Sequence, residues 1–231
     1  MEYLYLILKC LIAVLLGLLL GNSLVYVFNH IPGKWLVDYG ETPDEELEHP
    51  TVQRLKSTPW KYVFSIFFIF LGILLFVRNI LYAIPVLLAS WLLTIMAVSD
   101  RKYMVVPDQF IILLLVTSVG FVPFVDLKSM LYGAGLGFGV LLLMALVSRL
   151  IYKKPGIGGA DVKLFSVLGF MTGLRGIIII FIFSTFLSAI HFTVLLALKK
   201  TTLKEHRPMV PYISASAIIY LVLFILLPAG L

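Results

Sequence analysis

Two aspartates, Asp100 and Asp161, lie at the ends of long apolar runs in a chain with few other acidic residues near such runs. Their local sequences are Asp100-Arg-Lys-Tyr-Met-Val-Val-Pro-Asp108 and Gly158-Gly-Ala-Asp161-Val-Lys163. A carboxylate at the edge of a bilayer is costly and therefore indicates function. Two carboxyl groups that share a proton can hydrolyse a peptide, one as base on water and the other as proton donor to the carbonyl oxygen. This chemistry needs neither a metal nor a covalent nucleophile.

Each acid also has a structural explanation that involves no chemistry. Asp100 could be a solvated carboxylate paired with Arg101 or Lys102. Asp108 directly follows a proline and should lie in the first turn of a helix, where a negative charge stabilises the helix dipole. Asp161 could cap a helix N-terminus. The residues alone leave these alternatives open, and nothing in the sequence places the two side chains together.

The composition predicts an all-α, polytopic membrane helix bundle formed by a single domain, residues 1–231. The chain is 61% hydrophobic and 13% charged, with a mean hydropathy of +1.07, whereas soluble domains are about 45–50% apolar and about 25% charged. The net charge of +6 comes from basic residues in short loops between apolar runs. That distribution indicates membrane topology and a lipid bilayer partner rather than a nucleic acid.

Eight transmembrane spans are predicted, because a helix crosses the hydrocarbon core with about 20 residues. The first is interpreted as a retained helix rather than a removed signal peptide. Val162–Leu174 is short for a crossing and needs tilt or local thinning. The other predicted spans are Leu4–Phe28, Tyr62–Val77, Asn79–Val98, Phe110–Phe124, Leu131–Leu150, Gly176–Leu198 and Tyr212–Leu227.

The loop charges predict that the N-terminus is outside. With that orientation 14 lysines and arginines fall in inside segments and three in outside segments, as the positive-inside rule requires. Asp100, Asp108 and Asp161 then all lie at the cytoplasmic edge. The polar stretch Asn29–Trp60 becomes a cytoplasmic loop.

Glycines and one histidine in the apolar runs have structural interpretations. Three glycines precede Asp161, and glycine-rich backbone at membrane depth is tolerated where it lines a wet cavity or is buried in protein. The run Gly133-Ala-Gly-Leu-Gly-Phe-Gly139 lacks nucleotide-binding spacing and predicts close helix packing. His191, alone within a span, is expected to form a hydrogen bond between helices.

The two aspartate segments resemble those of the type IV prepilin peptidases, the GxGD-type membrane aspartyl proteases. Three further stretches agree with that family in order along the chain, so the resemblance spans nearly the whole chain. They are Gly21-Asn-Ser-Leu-Val-Tyr-Val-Phe-Asn-His-Ile-Pro32, Gly159-Ala-Asp-Val-Lys-Leu-Phe-Ser-Val-Leu-Gly169 and Met209-Val-Pro-Tyr-Ile-Ser-Ala215.

The resemblance implies an aspartyl endopeptidase of the cell (inner or plasma) membrane. Its partners would be prepilin or pseudopilin precursors, cut at the cytoplasmic face after a glycine that precedes a hydrophobic segment. Asp100 and Asp161 match the catalytic aspartates. Lys163 would adjust the Asp161 carboxyl or contact lipid phosphate, with a snorkelling interface lysine as the alternative. The residues expected to support the site or bind substrate are Asp108, Gly158, Gly159 and Lys163.

Two departures from the family pattern carry expectations of their own. Ala160 replaces the glycine before the second aspartate, so a less strained turn is expected there. The Asn29–Trp60 loop lacks the paired CxxC motifs that suit a structural zinc, and we therefore predict no metal. Proteolysis needs no cofactor, and S-adenosylmethionine would be needed only for an additional N-methyltransferase activity. The acidic segment Glu41–Glu48 is a candidate surface for a basic leader.

The sequence leaves two rival functions open. A small proton-coupled transporter could use both aspartates as relay groups, although transporter sites usually lie near the midplane. A non-catalytic pilus or secretion assembly protein derived from a peptidase is the other, since Ala160 departs from the family pattern.

Overall fold

A computed structural model describes residues 2–37, 40–44, 47, 53–152, 158–200 and 207–226. Helices form almost all of these segments, and no strand occurs within them, so the predicted all-α class is confirmed. Short 3-10 helices lie at Gly33–Trp35 and Val119–Phe121. The α-helices are α1 (Glu2–His30), α2 (Ser57–Arg78), α3 (Ile80–Tyr103), α4 (Asp108–Ser118), α5 (Leu127–Tyr152), α6 (Gly159–Ala197) and α7 (Val210–Leu226).

Helix α6 is a hairpin of two helical arms, residues 159–172 and 174–197. Gly173 separates them with φ 75° and ψ −178°, a conformation that is almost exclusive to glycine. The rings of Phe165 and Phe181 lie 5.9 Å apart between centroids, whereas a straight helix would separate two residues at this spacing by about 24 Å. The two arms therefore run antiparallel, as the predicted Val162–Leu174 and Gly176–Leu198 spans require.

The helices are those of an integral membrane protein. Within the described residues, α1, α2, α3, α5 and α6 are each long and apolar enough to cross a membrane, while Asp108–Phe121 and α7 are shorter apolar helices. Many large apolar side chains lie on the outer surface, where lipid would cover them. With α6 counted as two arms, the described chain has eight apolar helical segments. The number of crossings itself stays a prediction.

The glycine run in α5 packs directly against α6, as predicted. A Cβ atom on Gly133 would lie 2.3 Å from the carbonyl oxygen of Gly169, and one on Gly137 would lie 2.4 Å from that of Phe165. Such contacts bring the two backbones together and exclude any side chain at these positions. Gly135, on the same helix, faces open space.

The polar stretch between α1 and α2 is shorter than its predicted limits of Asn29–Trp60, because α1 continues to His30 and α2 begins at Ser57. The Asn29 side chain joins the two ends of this connection by hydrogen bonds to the backbone of Leu55. Its Nδ2 donates to the Leu55 carbonyl at 3.0 Å, and its Oδ1 accepts from the Leu55 N–H at 2.7 Å. The acidic segment Glu41–Glu48 lies partly outside the described residues, at Glu45, Glu46 and Glu48.

Candidate active site

Asp100 lies in the last turn of α3, four residues before Met104, whose left-handed backbone (φ 56°) ends the helix. Its side chain faces the interior of the protein. The helix continues beyond the predicted limit of Val98, because backbone hydrogen bonding persists through the polar turn: the Met104 N–H donates to the Asp100 carbonyl at 2.9 Å. Only 7% of Asp100 is exposed. It is therefore not the solvated carboxylate of the structural alternative.

The Asp100 carboxylate is held by the first turn of α7. Its Oδ2 accepts a hydrogen bond from the Val210 N–H at 2.9 Å, and the backbone of Met209, just before the helix, lies beside the same carboxylate. The first N–H groups of a helix have no acceptor within the helix. Asp100 supplies one, and the helix dipole favours negative charge at this position.

Two further hydrogen bonds fix α7 along α3. Ser214 Oγ donates to the Leu93 carbonyl at 3.0 Å, and Tyr82 Oη donates to the Leu221 carbonyl at 3.0 Å. As residue numbers fall along α3 they rise along α7, so the two helices are antiparallel. The C-terminal end of α3 therefore meets the N-terminal end of α7 at Asp100.

Asp161 lies in the first turn of α6. Gly158 is the residue at the N-cap, and its backbone lies beside the Asp161 carboxylate. The side chain is partly buried, and it is close enough to Asp100 for the two charges to interact. The structure thus brings the two predicted aspartates to the same end of the bundle.

The turn before Asp161 accommodates Ala160 without strain. Gly158 has φ −68° and ψ 143°, and Gly159 and Ala160 already belong to the helix. Neither glycine adopts a positive φ. The turn therefore does not use the left-handed backbone geometry that alanine disfavours, and the expected less strained turn is present. A Cβ on Gly158 would lie 3.4 Å from Asp161 Oδ2, which is an ordinary contact.

Asp108 and Lys163 pair with each other. Lys163 Nζ lies 2.7 Å from Asp108 Oδ2, and both side chains are about half exposed, at 54% and 53%. Asp108 is in the first turn of α4, as predicted. Sequence reasoning had related Lys163 to the Asp161 carboxyl or to lipid and did not foresee this partner.

The second arm of α6 also contacts α7 near this end. His191 Nδ1 and Tyr212 Oη form a hydrogen bond, which confirms the predicted bond between helices. At the end of α3, Lys102 donates to the backbone carbonyl of Arg54. The connection between α1 and α2 is thereby tied to the end of α3.

Sequence reasoning missed the backbone N–H groups at the start of α7, of which that of Val210 bonds to Asp100. Their signal in the sequence was Pro211, since proline is favoured in the first turn of a helix and marks a helix start whose N–H groups need acceptors. Within the described ranges, no three side chains of the metal-binding types His, Cys, Asp and Glu form a group that could hold an ion. The absence of zinc stays a prediction.

Comparison with known proteins finds a family match in the central part of the chain. Residues 86–194 match the type IV leader peptidase family. This segment is similar to that family. It runs from α3 to the second arm of α6 and contains Asp100, Asp108, Asp161 and Lys163, so the resemblance drawn from the two aspartate segments is confirmed.

Curated relatives carry the name prepilin leader peptidase/N-methyltransferase. That of Bacillus subtilis (strain 168) is 28% identical over 145 residues, which cover 58% of this chain and 54% of the relative. The relative from Stutzerimonas stutzeri is 29% identical over 133 residues, which cover 55% of this chain and 45% of the relative. The relative from Aeromonas salmonicida (strain A449) is 29% identical over 134 residues, with the same two coverages. The chain spans about half the length of these relatives. No solved structure matches it significantly.

Proposed function

We propose that this protein is a membrane aspartyl endopeptidase that removes the leader peptide of type IV prepilin-like or pseudopilin precursors. The observation that carries the proposal is the placement of Asp100 and Asp161 at one end of the bundle, close enough for their charges to interact. Both lie in the segment that matches the type IV leader peptidase family. The names of the relatives supply the substrate class.

The two carboxyl groups would share the proton transfers of hydrolysis. One carboxylate takes a proton from water as the water oxygen bonds to the carbonyl carbon, and the other group, protonated, donates to the carbonyl oxygen. The tetrahedral intermediate then collapses. The C–N bond breaks, a hydroxyl proton returns to a carboxylate, and the leaving nitrogen receives a proton from the other carboxyl group. No other reactant is consumed.

The site is proposed to face the cytoplasm of the cell membrane, with the precursor's apolar segment between helices. The supporting observation is the clustering of basic residues at this end: Lys102 contacts Arg54, and Lys163 pairs with Asp108. Basic residues concentrate on the cytoplasmic side of membrane proteins. The location of both aspartates at helix ends also disfavours a transporter, whose site is expected near the midplane.

N-methylation with S-adenosylmethionine is a second candidate activity, supported by the names of the relatives. A cavity of about 530 Å³ next to the end of α1 is within the usual range for ligand sites. Its lining residues Asn29 and Arg54, however, already bond to the backbone of the same connection. This lining does not fit the cofactor, because these polar side chains are already occupied within the connection.

A cleavage assay separates the proposal from its rivals. The purified protein in detergent is incubated with a precursor peptide that has a basic leader, a glycine and an apolar segment, and products are identified by mass. Cleavage after the glycine supports the endopeptidase. An intact peptide together with proton-driven solute uptake in proteoliposomes would favour the transporter, and neither activity would favour the assembly protein.

The orientation has a separate test. In a Cys10→Ser background, Lys56→Cys and Arg175→Cys place single thiols at opposite ends of the bundle, and both native side chains are exposed. A membrane-impermeant maleimide added to intact cells should label the thiol at position 175 and spare the one at position 56. The reverse pattern would put the aspartates outside.

A further inference from the structure

We propose that the backbone N–H of Val210, at the first residue of α7, is a positioning group for Asp100 in the reaction. The inference rests on the proposed function, since it concerns how the Asp100 carboxylate of the proposed aspartate pair is oriented. It adds to the site an element that lies beyond the segment matched to the leader peptidase family, which ends at residue 194.

The contact has the geometry of a specific carboxylate–amide bond. The Val210 N–H donates to Asp100 Oδ2 at 2.9 Å, in the range for a charge-assisted hydrogen bond. Asp100 is almost wholly buried, and a buried carboxylate needs such donors. The bond fixes the rotation of the carboxyl group and favours its charged form.

The donor itself is held in place by contacts on two sides of α7. Ser214 and Tyr82 set the register of α7 along α3 through hydrogen bonds of 3.0 Å. Tyr212, two residues after Val210, bonds to His191 on the second arm of α6. A shift of α7 would therefore move the N–H relative to Asp100, so the orientation of the carboxylate depends on the packing of this helix.

One substitution removes the donor with little other change. Val210→Pro deletes the N–H at the first helical position, where proline is well tolerated and where the N–H has no helical acceptor to lose. Met209 lies before the helix, so the preference of the residue before proline for extended backbone is satisfied. Val210→Ala is the matched control, because it keeps the N–H and removes two methyl groups from a buried side chain.

The assay measures kcat, KM and the pH dependence of cleavage for wild type, both variants and Asp100→Asn. We expect Val210→Pro to lower kcat about 10-fold to 100-fold, the effect of one hydrogen bond to a charged group, with KM within about two-fold of wild type because the N–H does not touch substrate. The acidic limb of the pH profile should move to higher pH, since the charged form loses a donor. The loss of kcat in Val210→Ala reports the change in packing alone, and it should be at least several-fold smaller than the loss in Val210→Pro.

The outcomes separate the inference from the function on which it rests. If wild type cleaves and Val210→Pro has the kcat and pH profile of Val210→Ala, the N–H is not a positioning group and the endopeptidase stands. If wild type does not cleave, the proposed function fails first. If Val210→Pro is folded by its thermal transition in detergent yet shows only a raised KM, the positioning role is overturned.

Discussion

Lys163 Nζ lies 2.7 Å from Asp108 Oδ2 and joins the first turn of α4 to the first arm of α6. Both helices begin at the end of the bundle that carries Asp100 and Asp161. The pair is about half exposed, so water or lipid headgroups screen it. An exposed ion pair contributes little to stability, which indicates a supporting contact rather than a reacting group.

Removing either partner of the Asp108–Lys163 pair should have a small effect on stability, and the effect of each substitution should depend on the presence of the other residue. We expect Asp108→Asn and Lys163→Met each to retain leader cleavage, with a coupling energy below about 1 kcal/mol in a double-mutant cycle of unfolding. The exchanged pair, Asp108→Lys with Lys163→Asp, should recover most of the lost stability. Abolished cleavage in Asp108→Asn would instead place this acid in the chemistry.

Gly133 and Gly135 form a matched pair on α5. Gly133→Ala forces a Cβ to within 2.3 Å of the Gly169 carbonyl oxygen, and overpacking of this kind costs about 1–3 kcal/mol. Gly135→Ala places the same atom in open space and should leave stability equal or raise it by about 0.5–1 kcal/mol. Thermal unfolding in detergent measures both. Equal effects would contradict the close contact between α5 and α6.

Substitution of Gly173 should destabilise the protein, because both its backbone conformation and its neighbours disfavour a side chain. Gly173→Ala is expected to destabilise by about 1–3 kcal/mol, the cost of placing a side chain in a region of backbone conformation that is almost exclusive to glycine. Its Cβ would also lie 2.6 Å from Ser129 Oγ.

The double variant Gly173→Ala with Ser129→Ala tests which cause dominates. Removing the hydroxyl relieves the clash but leaves the backbone strain, and it also removes the acceptor of the Leu174 N–H. Measured against Ser129→Ala alone, most of the destabilisation by Gly173→Ala should therefore persist. Gly139→Ala, with open space around it, is the control. Full recovery in the double variant would mean that the hairpin does not depend on the glycine conformation.

Asn29 should stabilise the connection between α1 and α2. Asn29→Ala removes both hydrogen bonds to the Leu55 backbone and leaves those groups unpaired, at a cost of about 1–3 kcal/mol. Amide hydrogen exchange at Leu55 should become faster. Asn22, on the same helix, donates to the carbonyl of Leu18 in its own helix. Asn22→Ala should leave exchange at Leu55 unchanged, and an equal response in both variants would contradict the closing role.

Local sequence patterns predicted much of the fold. Apolar runs gave the helices because their length matches a bilayer, and the glycine run Gly133–Gly139 predicted the close packing of α5. The proline before Asp108 located the start of α4. Helix ends were placed less well, since hydrogen bonding continues past the apolar residues, as it does from Val98 to Tyr103 in α3.

The assembly of the site could not be predicted from local patterns. Asp100 and Asp161 approach through the packing of helices that are far apart in sequence, and the partner of Asp100, Val210, contributes a backbone group that any residue type but proline supplies. Lys163 likewise finds Asp108 only because α4 and α6 begin at the same end. The resemblance to a known family named the two aspartates but not their neighbours.

Cleavage of a prepilin-like peptide by purified wild type, Asp100→Asn and Asp161→Asn tests the paired-carboxylate claim most directly. Each asparagine keeps the shape of the side chain and removes its acid–base function, so each variant should remain folded and lose about 10²-fold to 10⁴-fold or more in kcat/KM. The account predicts leader cleavage by wild type and the same near-complete loss in both variants. Wild-type cleavage with substantial activity left in either variant would contradict it.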